Sequence, residues 1–253
     1  MDFSITVILL LCLAYFVAGF IDSIAGGGGL ITLPSLLFAG VPPQFALGTN
    51  KMASTLGTGV AVVNFWRNKK INFKLILSGI GFAMLGAFLG SKIILSLDQS
   101  VVGKIIIFLL PVAVVAVLLP RTKKSDAKAL TKIDYFVIVP IICLVIGFYD
   151  GFFGPGTGSF LTLSLFFFTK LKLIEATANA KVFNVMSNVG SLVAFILGGK
   201  VLFLLAIPFA LSNMLGNFLG SRLAIKSGDR IIKYFLILSL SILLISLVWK
   251  YYF

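Results

Sequence analysis

The sequence contains no histidine, only two cysteines, and charged residues that make up just 11% of its 253 positions. Without histidine there is no Ser-His-Asp triad, no Cys-His nucleophile and no histidine-ligated metal site. Cys12 and Cys143 stand in separate apolar runs and form no C-x-x-C pair, so we interpret both as small buried hydrophobic residues. The usual parts of a hydrolytic enzyme or metalloenzyme are therefore missing, and we predict neither a metal site nor a cofactor.

Hydrophobic residues, in contrast, account for 59% of the chain. A helix needs about 20 apolar residues to cross a bilayer, and its backbone then satisfies all of its own hydrogen bonds. Runs of about this length occur at 5–20, 75–97, 105–119, 201–219 and 235–249. No basic segment precedes the first run, so we predict a permanent span there, not a cleaved signal. The composition predicts an all-α polytopic membrane protein.

The sequence consists of two similar halves. The segment GFIDSIAGGGG at 19–29 returns as GFYDGFFGPGTG at 147–158, with the two aspartates 128 positions apart. LGAFLGSK at 85–92 matches LGNFLGSR at 215–222, and ALGTNK at 46–51 matches ATANAK at 176–181, both at an offset of 130. Several matches in one order indicate an internal repeat. We predict a first transmembrane repeat at 1–119, a hydrophilic linker at 120–132 and a second repeat at 133–253.

Each repeat is predicted to hold four to five helical segments, one of them broken or half-length. The short apolar stretches 30–39 and 159–168 are about half a bilayer long, at 1.5 Å of rise per residue. We expect half-helices or re-entrant arms at these positions. Gly40, Pro42 and Pro43 are predicted to end the first one.

The basic residues predict how the repeats are oriented, because cytoplasmic loops collect Lys and Arg. One arrangement places 15 of the 21 basic residues in cytoplasmic loops at 67–74, 121–132, 170–172 and 222–233, and four outside. In that arrangement the repeats have inverted topology, both termini lie outside and the linker is cytoplasmic. The net charge of +13 then follows from topology, so no nucleic-acid partner is predicted.

Inverted repeats with broken helices are a recurring plan of secondary transporters, which bind solutes where the broken helices meet. Glycine loops free backbone N–H groups, and helix N-termini carry partial positive charge, so the site suits an oxyanion. Asp22, Asp150, Lys51 and Lys181 are ionisable at membrane depth, where charge is costly and usually functional. Both lysines belong to no loop, and we predict that they act as counter-charges for an anion.

The predicted solute-binding residues are Asp22, Ser23, Gly26, Gly27, Gly28, Gly29, Thr49, Asn50, Lys51, Asp150, Gly154, Gly156, Thr157, Gly158, Asn179, Lys181 and Asn184. Other roles stay open for these residue types. Each lysine is also consistent with a structural ion pair to Asp22 or Asp150 or with a side chain that extends to a membrane interface, and the amides, including neighbouring Asn188, with helix caps. For the remaining glycines we predict close helix packing, at Gly79, Gly81, Gly86, Gly90, Gly216 and Gly220.

The paired Asp/Gly elements, ALGTNK with ATANAK, and FILGGK at 195–200 resemble the sulfite exporter TauE/SafE family of membrane transporters. The resemblance covers nearly the whole chain. It implies a multi-pass permease of a prokaryotic inner membrane that moves sulfur-containing or organic anions such as sulfite or sulfonates. The second half departs from the first by placing Pro155 among its glycines and Asn179 where the first half has Thr49.

We therefore predict a secondary transporter for a small anion that works by alternating access, with proton coupling through Asp22 or Asp150. Its partners are the anion and the lipid bilayer, and a homo-oligomer is left open. An alternative is an intramembrane enzyme acting on a lipid or prenyl phosphate, although no D-x-x-D pair is present to hold magnesium. A further alternative is a membrane partner of another complex that transports nothing.

Overall fold

A computed structural model describes residues 3–118, 130–169, 171–228 and 231. Within these ranges the chain forms helices and no strands. The α-helices are α1 (Ile5–Ala25), α2 (Gly29–Phe38), α3 (Pro43–Arg67), α4 (Phe73–Ser96), α5 (Gln99–Leu118), α6 (Val139–Phe152), α7 (Thr157–Phe168), α8 (Leu173–Leu197) and α9 (Phe203–Ser227). A π-helical turn at Asp134–Ile138 leads into α6. Five of the helical segments are long and apolar enough to cross a membrane. The predicted all-α polytopic membrane fold is confirmed.

The two short helices stand where the sequence predicts half-length segments. α2 has 10 residues and α7 has 12, so they are roughly 15–18 Å long at 1.5 Å per residue. Gly40, with φ of +84°, follows α2, and Pro43 begins α3. Each short helix follows a longer one across a glycine-containing loop, as a broken helix does.

The helices of the two halves follow one another in the same order. α1 to α4 correspond to α6 to α9, with a short helix second and a 25-residue helix third in each series. In the first half, α5 completes the predicted five segments. The corresponding run at 235–249 and most of the linker at 120–132 lie outside the described residues. The inverted orientation and the domain boundaries remain predictions.

Glycines bring the helices of opposite halves into close contact. α4 packs along α6, and α1 packs along α9. A Cβ atom on Gly86 would lie 2.9 Å from the backbone nitrogen of Phe148, and one on Gly216 would lie 2.8 Å from that of Phe20. Gly79, Gly90 and Gly220 are equally confined, so packing accounts for them as predicted. The prediction is wrong for Gly81, which is exposed and has open space around its Cβ position.

We expect Gly86→Leu to prevent stable folding, because leucine at this position would force α4 and α6 apart. Overpacking of this kind costs about 1–3 kcal/mol or more. Gly81→Leu, on the same helix, is the matched control and should leave stability unchanged or slightly improved, since glycine is a poor helix former. The yield and melting temperature of detergent-purified protein measure both. Equal yields of the two variants would contradict the packing role of Gly86.

The 25-residue helices α3 and α8 contact each other at the centre of the described structure. Both carry polar residues on buried faces, including Lys51 and Thr58 on α3 and Lys181 and Asn184 on α8. Buried polar groups in a membrane protein need partners within the protein, because lipid offers none. These two faces therefore meet the polar ends of the broken helices.

Candidate functional site

The two glycine loops that interrupt the broken helices lie against each other. The hydroxyl of Ser159 donates a hydrogen bond of 2.9 Å to the carbonyl oxygen of Ala25. A Cβ on Gly158 would lie 2.9 Å from the Cα of Gly26, whose φ of +78° also favours glycine. The glycines therefore let the loops touch, which brings the ends of α1 and α6 and the starts of α2 and α7 to one place.

A small polar cavity lies where these helix ends meet α3, α8 and α9. Its volume is about 30 Å³, and a water molecule needs roughly 10–15 Å³ measured in this way. The cavity in this conformation therefore holds a few waters at most. Its lining residues are Asp22, Gly27, Gly28, Gly29, Thr32, Asn50, Lys51, Ser54, Thr58, Asp150, Gly154, Gly156, Thr157, Gly158, Asn184, Asn188 and Asn213.

Lys51 of the first half pairs with Asp150 of the second half. The Nζ atom of Lys51 lies 2.7 Å from Oδ1 of Asp150 and donates to Oδ1 of Asn188 at 3.1 Å. The other carboxylate oxygen of Asp150 accepts a hydrogen bond of 2.7 Å from the Ser187 hydroxyl. Both ends of this ion pair line the cavity.

Lys181 of the second half pairs with Asp22 of the first half. Its Nζ atom lies 2.8 Å from Oδ2 of Asp22 and also donates to the backbone carbonyl of Asp22. The N–H of Gly28 donates to Oδ1 of Asp22 at 3.2 Å, so this carboxylate caps the start of α2. Lys181 is fully buried and does not reach the cavity. In this second ion pair only the carboxylate of Asp22 lines the cavity, whereas both members of the first pair do.

The ion pairs cross between the halves and balance each other in charge. Each ties a long helix of one half to the broken helix of the other: α3 to α6 through Lys51, and α8 to α1 through Lys181. Two ammonium groups and two carboxylates give a formal net charge of zero. In this conformation each lysine is paired with a carboxylate, and its role as a counter-charge for an anion stays a prediction. The structural ion pair that the sequence left open is present at both positions.

Twelve of the 17 predicted residues line the cavity, and five do not. Besides Lys181, these are Ser23, Gly26, Thr49 and Asn179. The Thr49 hydroxyl accepts the N–H of Leu202 at 3.0 Å, and the Asn179 side chain accepts that of Asn72 at 3.0 Å. Both residues hold loops in place at helix ends. The Ser23 hydroxyl donates a hydrogen bond to the backbone carbonyl of Phe20, one turn earlier in α1. Gly26 lies in the contact between the two glycine loops.

Four lining residues were absent from the predicted set and from its neighbouring amides: Thr32, Ser54, Thr58 and Asn213. Ser54 and Thr58 continue the face of α3 that begins at Asn50, because the three stand four residues apart. Asn188 follows Asn184 on α8 with the same spacing. The four-residue spacing of a helix face would therefore have predicted Ser54, Thr58 and Asn188 as lining residues. Asn213 belongs to the apolar helix α9. Its polar side chain within that helix is the only sequence signal that could have identified it as a lining residue.

The cavity wall offers hydrogen-bonding groups that the protein leaves unused. The described structure gives no hydrogen-bond partner to the N–H groups of Gly29 and Gly158, at the starts of α2 and α7. Oδ1 of Asn50 is buried and also has no partner. Free N–H groups at helix N-termini favour an anion. Among the described residues, no three Asp, Glu, Cys or His side chains come together in the manner of a metal site.

Comparison with known proteins gives matches over almost the entire chain. The profile of the family described as "Sulfite exporter TauE/SafE" matches residues 11–247. A "Probable membrane transporter protein" of Haemophilus influenzae is 37% identical over 234 residues, covering 92% of this chain and 91% of the relative. The Sinorhizobium "Probable membrane transporter protein ORF9" is 38% identical and covers 94% and 90%. "Probable membrane transporter protein YfcA" of Escherichia coli is 37% identical and covers 89% and 84%. No solved structure matches the chain significantly.

Proposed function

The chain belongs to the sulfite exporter TauE/SafE family of membrane transporters, and from this premise we propose that it is a secondary transporter for a small anion. The solute is a sulfur-containing oxyanion or organic acid, such as sulfite or a sulfonate, and it binds in the central cavity. The observation that supports this most directly is the pair of free N–H groups at Gly29 and Gly158 in a cavity that Lys51 also lines. The membrane is the inner membrane of a prokaryotic cell.

The charge balance of the cavity suggests how transport is coupled to a proton. An anion that enters a site of zero net charge leaves it negative, and charge at membrane depth costs at least about 2.5 kcal/mol on insertion scales. A proton on Asp150 removes this cost and releases Lys51 to bind the anion. For a singly charged anion, such as a sulfonate or hydrogen sulfite, the empty site and the site loaded with anion and proton are then both neutral. The site loaded with the anion alone carries a net negative charge. The anion and the proton therefore cross the membrane together.

The small cavity volume fits an occluded state in an alternating-access cycle. About 30 Å³ does not admit a sulfite-sized anion together with its hydration shell, so binding requires the walls to separate. The crossed ion pairs join the two halves. In the inverted-repeat arrangement, breaking one pair opens the cavity toward one side of the membrane while the other pair stays closed.

A solute screen on purified protein tests the substrate class. We expect sulfite, thiosulfate, a sulfonate or a small carboxylate to raise the melting temperature, because a ligand that binds only the folded protein stabilises it. Asn50→Ala should weaken anion binding by about tenfold in apparent affinity, the value of one lost hydrogen bond from the side-chain NH2 group of Asn50 to the anion. Alanine is tolerable at this position, since Asn50 corresponds to Ala180 in the other half. The proposal would be refuted if none of the anions raised the melting temperature of the protein, or if only cations raised it.

A further inference from the structure

A line of polar side chains leads away from the cavity between α3 and α9. We call Asn213, Asn217, Ser221 and Asn64 the amide seam. Asn217 donates to Oδ1 of Asn213 at 2.9 Å, and Asn64 donates to the Ser221 hydroxyl at 2.8 Å. Ser221 in turn donates to the carbonyl of Asn217 at 2.6 Å. The seam therefore begins at Asn213, which lines the cavity, and continues without a break to Asn64.

The far end of the amide seam reaches the surface. Asn68 donates to the carbonyl of Asn64 at 2.8 Å and is itself exposed, between Arg67 and Lys69. Exposed cations at this end attract anions. The seam thus connects the polar cavity with a basic surface through the interior of a membrane protein.

The other half has no such seam, although its helices pack in the same way. At an offset of 130, the positions of Asn213, Asn217 and Asn64 are occupied by Ala83, Ala87 and Ala194. Only the serine is kept, since Ser221 corresponds to Ser91. Alanines therefore suffice to build this helix contact, and packing alone does not account for the amides.

The amide seam also contains an acceptor without a donor. Asn217 is completely buried, and its Oδ1 atom has no hydrogen-bond partner among the described residues. A buried acceptor of this kind calls for a water or solute group that reaches it in another conformation. In the present conformation a cluster of fully buried apolar residues, including Ile24, Phe65 and Ala224, closes the same end of the molecule.

We propose that the amide seam is the route by which water and the anionic solute pass between the cavity and the surface that bears Arg67 and Lys69. When α3 and α9 separate, the amides face water and the solute, and the Asn217 oxygen gains its partner. The equivalent contact of the other half, lined by alanines, stays dry. The proposal rests on the proposed function insofar as the cavity is the solute site.

Two matched cysteine variants test the route without knowledge of the substrate. In a background with Cys12→Ala and Cys143→Ala, Ser221→Cys and Ser91→Cys place single thiols at equivalent, fully buried positions. If the seam opens to a minor, hydrated state, a small charged thiol reagent should label Ser221→Cys at least about tenfold faster. Equal rates, or faster labelling of Ser91→Cys, would overturn the proposal. Should either variant fail to fold, Asn64→Cys and Ala194→Cys form a second matched pair.

The variant Asn217→Ala distinguishes a route for water and solute from an amide that only holds the two helices together. It copies Ala87 of the other half, so we expect an unchanged melting temperature, slower labelling of Ser221→Cys and several-fold slower transport. A lower melting temperature with unchanged or faster labelling would show that the amide only holds the helices together. The labelling result is independent of the cavity. Fast labelling at Ser221→Cys together with normal transport in variants of Lys51 and Asp150 would keep the seam and reject the solute site.

Discussion

Asp150→Asn is expected to abolish net transport while preserving exchange of anion across the membrane. The asparagine mimics the protonated aspartate, so Lys51 is free to bind the anion and the loaded site is neutral. The empty site carries the uncompensated Lys51 charge, which costs about 2.5–3.5 kcal/mol at membrane depth. Return of the empty site should therefore slow by roughly 100-fold. Proteoliposomes measure both fluxes: net uptake driven by a proton gradient, and exchange of labelled for unlabelled anion.

Proton movement gives a second reading of the same variant. In the unaltered protein, a pH-sensitive dye inside proteoliposomes should show protons entering together with the anion. In Asp150→Asn anion exchange should occur without proton movement, and anion affinity should equal or exceed that of the unaltered protein. Net transport that continues at the normal rate would show that Asp150 does not carry the coupled proton.

Asp22→Asn is the matched control for Asp150→Asn. Asp22 holds the fully buried Lys181 and caps α2 through Gly28, so its loss leaves a buried ammonium poorly compensated. Breaking a buried ion pair costs about 3–5 kcal/mol. Each variant leaves a buried ammonium without its carboxylate, so we expect a lower melting temperature for both, and exchange without net transport for Asp150→Asn alone, because Lys181 does not line the cavity. The same exchange-only behaviour in both variants would contradict the assignment of coupling to Asp150.

Much of this architecture could be predicted from the sequence, because lipid restricts the choices. Apolar runs fix helices, and the broken helices follow from glycines that return at matching positions. The extents of α2 and α7 agree with the predicted short stretches to within two residues. The family predicted from these paired elements is confirmed by a match over residues 11–247.

The partners of the buried charges could not be predicted, because they depend on how the halves pack against each other. No spacing along the chain shows that Lys51 faces Asp150 and not Asp22, which is far closer in sequence. The packing also makes the two lysines unequal, since Lys51 lines the cavity and Lys181 does not. For Gly28 the structure adds a second role. A Cβ atom there would lie 2.8 Å from the Ala18 carbonyl oxygen, so Gly28→Leu would disturb folding as well as binding.

Lys51→Met is expected to remove anion binding and, through a different cause, to destabilise the protein. The ammonium supplies a charge-assisted hydrogen bond worth about 1.5–3 kcal/mol, so affinity should fall by roughly 10- to 150-fold. The variant also leaves Asp150 without its counter-charge at depth. Binding measured by calorimetry and stability measured by thermal melting report these two effects separately.

The double variant Lys51→Met with Asp150→Asn distinguishes a solute ligand from a structural residue. Both charges are then absent, so the melting temperature should recover most of what Lys51→Met alone loses, following the behaviour of buried pairs replaced together. Anion binding should not recover, because the cavity wall then carries no ammonium, Lys181 lying outside the lining and paired with Asp22. Pairing Lys51→Met with Asp22→Asn should restore nothing, since Asp22 belongs to the other ion pair. If the correctly paired double variant bound and transported the anion normally, the cavity would hold its solute by backbone groups and amides alone, and Lys51 would be structural.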